Sequence, residues 1–201
     1  MSFIDTIHPD DAREDVRAMY QRQQDFWGYV PNYARAFCHR PKLMERWGRM
    51  IAEVKRPMDP KLYELATFAA ASDLRNTACS IAHGSKLLDF YSREQLVALA
   101  FKEPAAGVSA LDNAVVRFAR KVARDAACIT RTDVNELRHL GLEDDAIFDI
   151  AATAAARAFF TKVLEAVGTE PDAPLGELDE ELRPAFVVGK PVSDHDPVVM
   201  K

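Results

Sequence analysis

Cysteine is scarce in this chain of 201 residues: Cys38, Cys79 and Cys128 are all it has. Three is too few, and the wrong parity, for a secreted disulfide scaffold. In a reducing compartment each is either a small buried hydrophobe or a reactive thiol. Long apolar runs are also missing. No stretch approaches the roughly eighteen apolar residues a membrane span needs, so no membrane partner is expected. Residues 1–11 carry Asp5, His8, Asp10 and Asp11 and no apolar run, which does not read as a signal peptide, so the expected compartment is the cytoplasm. Basic clusters are absent too. A net charge of -5 without a Lys/Arg-rich run argues against a nucleic-acid partner. No segment alternates apolar and polar residues between turn signals, so no strand is expected.

What remains is helix. Hydrophobic residues make up 48% and charged residues 28%, enough for a core and a solvated surface. The length suits one domain, or one domain plus a tail. Asp10 to Gln24 is polar with sparse apolar positions (Val16, Met19, Tyr20), as in a surface helix. Phe26 to Tyr33 holds Gly28, Pro31 and four aromatics, which suggests a packed turn. Pro41 to Val54 places Leu43, Trp47, Met50, Ile51 and Val54 at helical spacing. Asp59-Pro60 supplies an N-cap and a first-turn proline for a helix to about Arg75. Asn76 caps the next, from Thr77 to about Phe90. Ser92 with Gln95 makes a capping box for Arg93 to Ala100, Ser109 with Asp112 starts another helix, and Thr130 with Asp133 a further one ending at Gly141. Glu143 to Val167 is a long Ala-rich helix closed by Gly168, its small residues suggesting close packing. Residues 171–201 hold five of the eleven prolines and read as an extended arm. The expected fold class is therefore all-α, a helical bundle over 1–170 with an extended proline-rich C-terminal arm over 171–201.

One constellation carries chemistry. Cys79 and His83 stand four apart on one helix, so they share a face. With Asn76 as N-cap, Cys79 occupies the third helical position. Unpaired N–H groups and the positive end of the helix dipole favour a thiolate there, which would make Cys79 the most acidic of the three thiols. His83 is its base, or an imidazolium beside it, and a carboxylate is the usual group to orient such a histidine. Glu64 fits: it lies within an otherwise apolar segment, Leu62 to Ala71, where a carboxylate is costly to bury alone. The same three residues also fit a chance Cys/His spacing, an exposed glutamate, or a metal site with a thin ligand set. Cys38-His39 reads as packing, Cys128 as exposed or core, and His139 as a favourable charge at a helix C-terminus. Trp27, Tyr29 and Tyr33 either line a pocket near the site or belong to the core.

The stretch Leu74-Arg75-Asn76-Thr77-Ala78-Cys79-Ser80-Ile81-Ala82-His83-Gly84, preceded by Glu64, resembles the signature of the alkylhydroperoxidase D / carboxymuconolactone decarboxylase family. That signature is a glutamate followed by Cys-x-x-Cys-x-x-x-His at a helix start. Val30 to Phe37, Arg40 to Leu43, and Phe118 to Pro171 resemble the peroxidase-related branch, so the likeness covers about residues 15–171. Glu64, Cys79 and His83 fall on the glutamate, second cysteine and histidine; Asn76 stands where the first cysteine would be. The resemblance implies a helical bundle and peroxidase or peroxiredoxin-like antioxidant activity. Catalytic roles would fall to Cys79, His83 and Glu64, without cofactor or metal. It implies a small-molecule peroxide or organic acid as substrate, an external thiol as reductant, and a homo-oligomer (dimer or hexamer). With Asn76 in place, the cycle would use one cysteine. A cofactor-free lyase on a small organic acid, or a non-catalytic member of the fold, are the alternatives. Substrate, reductant, and the roles of Cys38 and Cys128 stay open at this level.

Overall fold

The computed structural model describes residues 2–101 and 104–200. Ten α-helices follow one another: α1 (Glu14–Trp27), α2 (Asn32–Ala36), α3 (Pro41–Lys55), α4 (Pro60–Asp73), α5 (Thr77–Gly84), α6 (Arg93–Phe101), α7 (Ala110–Asp125), α8 (Arg131–His139), α9 (Asp144–Ala166) and α10 (Arg183–Phe186). Short 3-10 turns punctuate them, and no strand occurs among the described residues, only an isolated bridge between Val30 and Val198. None of these helices is long and apolar enough to cross a membrane.

The caps read from the sequence set the helix starts. Asp59 accepts from the Leu62 N–H, Asn76 from Cys79, Ser109 from Asp112, and Thr130 forms a complete capping box with Asp133. Ser92 and Gln95 exchange the same pair of bonds. The helix after Asn76 is shorter than its sequence suggests. Its α-helical part stops at Gly84 and a 3-10 segment runs on through Asp89.

Helix α4 is the axis of the fold. Every residue from Tyr63 to Ala71 is buried, against α5, α7 and α9. A helix apolar on all sides belongs in the interior, and Ala66, Ala69, Ala70 and Ala71 let its neighbours come close. Two apolar clusters result. The larger joins Leu65 and Phe68 of α4 to Val115 and Phe118 of α7, Ile150 and Ala154 of α9, and Phe186. The smaller gathers Met19, Tyr20, Val30, Phe37, Met44, Phe160 and Leu164 around Cys79.

The tail runs largely without regular structure, as expected of an extended arm. It packs on its own chain and includes short helical turns at Ala173–Gly176 and Arg183–Phe186. Leu182, Ala185 and Phe186 are buried. The Phe186 ring lies where a side chain on Gly84 would be, its Cζ 2.7 Å from that position. Gly189 presses on the α4–α5 turn so closely that a Cβ there would meet the Arg75 carbonyl oxygen at 1.8 Å. The Gly189 N–H donates to Thr77 Oγ1 (3.0 Å), and Arg75 Nε donates to the Val188 carbonyl (3.2 Å). Arg75 itself has φ 58°, the left-handed conformation that lets the chain reverse between α4 and α5.

Candidate functional site

The reversal at Arg75 sets α5 beside α4 and brings Glu64 to His83. The His83 Nδ1–H donates to Glu64 Oε2 at 2.5 Å, and both side chains are largely buried. Lys55 Nζ and Lys86 Nζ stand 3.7 Å and 3.6 Å from the other carboxylate oxygen, Oε1. Burial alone pushes the Glu64 carboxyl up, but the His83 bond and these cations prevail and hold it below its ordinary value. Burial, followed by the nearby Arg157 charge, lowers His83 to about 4. At neutral pH the dyad is therefore a carboxylate and a neutral imidazole, with the proton on Nδ1 and the lone pair on Nε2.

Cys79 sits at the N-terminus of α5 as its spacing predicts. Its N–H donates to Asn76 Oδ1 at 2.9 Å, and Asn76 Nδ2 donates onward to Glu165 Oε1 at 2.7 Å. Glu165 is held in turn by Lys190 at 2.8 Å. At this helix end burial of Cys79 opposes the pull of the dipole toward thiolate. The residue is 6% exposed, and loss of solvent raises its pKa, so the resting group is a thiol. What opposes that rise is Arg157, whose Nη1–H donates to Sγ at 3.5 Å.

Arg157 escaped the sequence reading. It lies 78 residues beyond Cys79, inside the alanine run of α9. The signal was present: a guanidinium among Ala154, Ala156 and Ala158 is as costly to bury as Glu64 is in α4. Its Cζ lies 5.4 Å from the Trp47 ring and 5.6 Å from the Phe160 ring, and those rings stack with centroids 4.2 Å apart.

Cys79, His83 and Arg157 line one cavity of about 190 Å³, walled largely by Trp27, Tyr29, Tyr33, Trp47 and Phe160. Three of the four aromatics between residues 26 and 33 thus reach the site, Trp27 from the end of α1, Tyr29 from the turn and Tyr33 from α2. Trp27 Nε1 donates to the Tyr33 hydroxyl (2.9 Å), which also bonds Gln23. Asp172, from the tail, lies on the same lining. Its carboxylate accepts the Asn32 N–H at 2.8 Å, and burial pushes its pKa up to about 6. Glu64 supports the cavity from behind His83.

The other thiols lie apart from this cavity. Cys38 is buried and accepts the Ile7 N–H, while His39 beside it bonds the Asp5 carbonyl at 2.8 Å. Cys128 is exposed, with its thiol on Asp125. His139 Nδ1 meets the Asn135 carbonyl within its own helix. A larger hollow, about 450 Å³, lies between the N-terminal segment and the tail, lined by Asp5, Arg35, Glu170 and His195; it holds no thiol. No group of three His, Cys, Asp or Glu among the described residues is arranged to hold a metal ion.

No protein-family model matches this sequence, and no curated protein does. Solved structures do. An uncharacterized peroxidase-related protein from Ralstonia eutropha, described as an alkylhydroperoxidase AhpD core, superimposes with a TM-score of 0.71 at 23% identity, over 94% of this chain and 98% of that one. An uncharacterized peroxidase-related protein from a Silicibacter species gives 0.73 at 21% identity, over 88% and 94%. The debrominase Bmp8, as a cysteine-to-alanine variant in complex with 2,3,4-tribromopyrrole, gives 0.67 at 16%, over 86% and 95%. The chain has the all-helical alkylhydroperoxidase D-like fold, and that fold also carries a debrominase.

Proposed function

We propose that the protein is a thiol-dependent peroxidase of the one-cysteine kind, acting on small organic hydroperoxides. The observation that carries this reading is the shared cavity, in which a thiol at a helix N-terminus meets a guanidinium at 3.5 Å and an imidazole braced by a carboxylate. His83 Nε2 takes the Cys79 proton, and Arg157 stabilises the thiolate that forms. The thiolate attacks the terminal, hydrogen-bearing oxygen of the hydroperoxide. An S–O bond forms, the O–O bond breaks, and the alkoxide leaves with the proton returned by His83. The products are Cys79 sulfenic acid and an alcohol. An external thiol condenses with the sulfenic acid, releasing water and leaving a mixed disulfide. A second thiol displaces Cys79 and departs as the oxidised disulfide. Asn76 fills the place a local resolving cysteine would take, which is why the reductant is external.

The test is consumption of cumene hydroperoxide in the presence of dithiothreitol. Cys79→Ser is expected to abolish turnover, Cys38→Ser and Cys128→Ser to leave it unchanged, and dimedone to trap residue 79 when thiol is withheld. Turnover that survives Cys79→Ser sinks the reading. It would favour the rival in which the neutral His83–Glu64 pair moves protons on a small organic acid and the sulfur is a spectator, a reading supported by the thiol's high resting pKa.

Self-association is part of the proposal. Phe148 and Phe26 are more than two-thirds exposed, and Met50 and Leu43 nearly half. Light scattering at micromolar concentration is expected to show a homo-oligomer; a monomer would refute this.

A further inference from the structure

The cation in the cavity is incompletely neutralised. Arg157 is 5% exposed, and among the described residues its Nε has no hydrogen-bond partner and its one donated bond goes to a neutral thiol. Among the described residues no carboxylate pairs with it. A buried guanidinium ordinarily has an anion against it, because removing the charge from water costs several kcal/mol. Here the Trp47 and Phe160 faces offset part of that cost. The space in front is small, about 190 Å³ against the roughly 300–1,000 Å³ of drug-sized sites, and its walls are flat rings.

From this juxtaposition we infer that the Cys79 cavity binds a small planar organic anion, its ring between the aromatic walls and its carboxylate or phenolate on Arg157. This rests on the reading of that cavity as the substrate site and gives the substrate a class. It also ties recognition to reactivity, because the ligand's anion and the Cys79 thiolate draw on the same guanidinium. Asp172, on the same lining, makes no ion pair with Arg157 among the described residues: it accepts the Asn32 N–H, and the cation acting on it is Arg35.

The experiment is calorimetric titration of the full chain with benzoate, with benzamide as the neutral isostere, with phenolate-forming pentafluorophenol, and with inorganic sulfate. Benzoate or pentafluorophenolate is expected to bind at least tenfold more tightly than benzamide, and sulfate at least tenfold more weakly than the better of them. Which of the two wins tells carboxylate from phenolate. Arg157→Gln, checked for folding by circular dichroism, is expected to reduce the preferred anion to the level of benzamide. In the unsubstituted chain the preferred anion should slow methanethiosulfonate modification of Cys79, and benzamide should not. Equal binding of charged and neutral rings, or unchanged affinity in Arg157→Gln, overturns the inference. Cys128→Ser, remote from the cavity, should bind the anion as the unsubstituted chain does. Anion binding with no peroxide turnover therefore removes the peroxidase reading and keeps this one, and turnover without anion preference does the reverse.

Discussion

The two apolar clusters of this protein are built on the same helix and do opposite work. The larger, around Leu65, Phe68, Val115 and Ile150, is assembled almost wholly from side chains that cannot ionise. The smaller packs Met44, Phe160 and Leu164 around a thiol, and a guanidinium, an imidazole and a carboxylate line the cavity it encloses. Burial in the first stabilises, at about 25 cal/mol per Å² of apolar surface. Burial in the second moves pKa values, and costs stability in doing so. The difference teaches where this fold obtains its stability and where it holds reactive groups.

The largest effect expected from breaking the comparison is in the first cluster. Phe68 is fully buried, with its ring edge-on to Phe186 at 5.4 Å between centroids. Phe68→Ala is expected to cost about 3–5 kcal/mol in urea unfolding. A loss below about 1 kcal/mol would mean that the two clusters do not differ in the way described.

The second cluster should announce itself through pH. His83 titrates near 4 when folded against 6.5 when unfolded, so the unfolded chain holds more protons between those values. The stability lost to His83 as pH falls from 6.5 to 4 is on the order of 3 kcal/mol. Asp172 works the other way. Its folded pKa of about 6 exceeds the ordinary 3.8, so the folded chain holds more protons in that window and stability falls as pH rises through it. The two largely cancel. Removing one exposes the other: relative to the unsubstituted chain, Asp172→Asn should gain on the order of 3 kcal/mol between pH 4 and 6.5. A difference that stays flat with pH would place the titrating groups elsewhere.

Glu64→Gln sharpens the same point at the level of chemistry. The amide keeps a hydrogen bond to His83 and loses the charge that favours imidazolium in the transition state. Peroxide turnover is expected to fall at least tenfold, and no less at pH 8 than at pH 6. Unchanged kcat would take the Glu64–His83 bond out of the mechanism.

The smallest effect concerns Asn76. Asn76→Ala removes the cap on Cys79 N–H and is expected to cost about 1 kcal/mol. Asn76→Cys restores a thiol three residues before Cys79. Mild oxidation of that variant should link residues 76 and 79, as read by mass spectrometry. If they stay unlinked, the alignment of this turn with a two-cysteine motif is wrong.

Much of the bundle, and three of the four side chains that meet at the candidate site, are legible in the sequence. Helix starts were readable because a cap is a local event: Asn76, Ser109 and Thr130 each satisfy an N–H three residues on. Cys79 and His83 were readable because i, i+4 spacing is enough to place two side chains on one face. Glu64 was readable because a carboxylate in an apolar helix needs a partner. Arg157 carries the same signal, a charge inside an apolar helix, but its partner is a neutral sulfur on another helix and no spacing points to it. The tail's seat on its own chain is illegible for a related reason. Its contacts with Gly84, Arg75 and Thr77 are set by missing atoms at Gly84 and Gly189, and a hole in one segment shaped for another leaves no periodic trace.

The contact of Gly189 with the α4–α5 turn gives the site a place in time. A ribosome delivers Glu64, Cys79 and His83 well before Gly189, which follows Thr77 by 112 residues. Until then the Thr77 hydroxyl has no Gly189 amide to receive, and Phe186 has not closed over Gly84. A nascent chain thus carries the start of α5 with its Thr77 side still uncovered, and the turn that holds Cys79 is closed last.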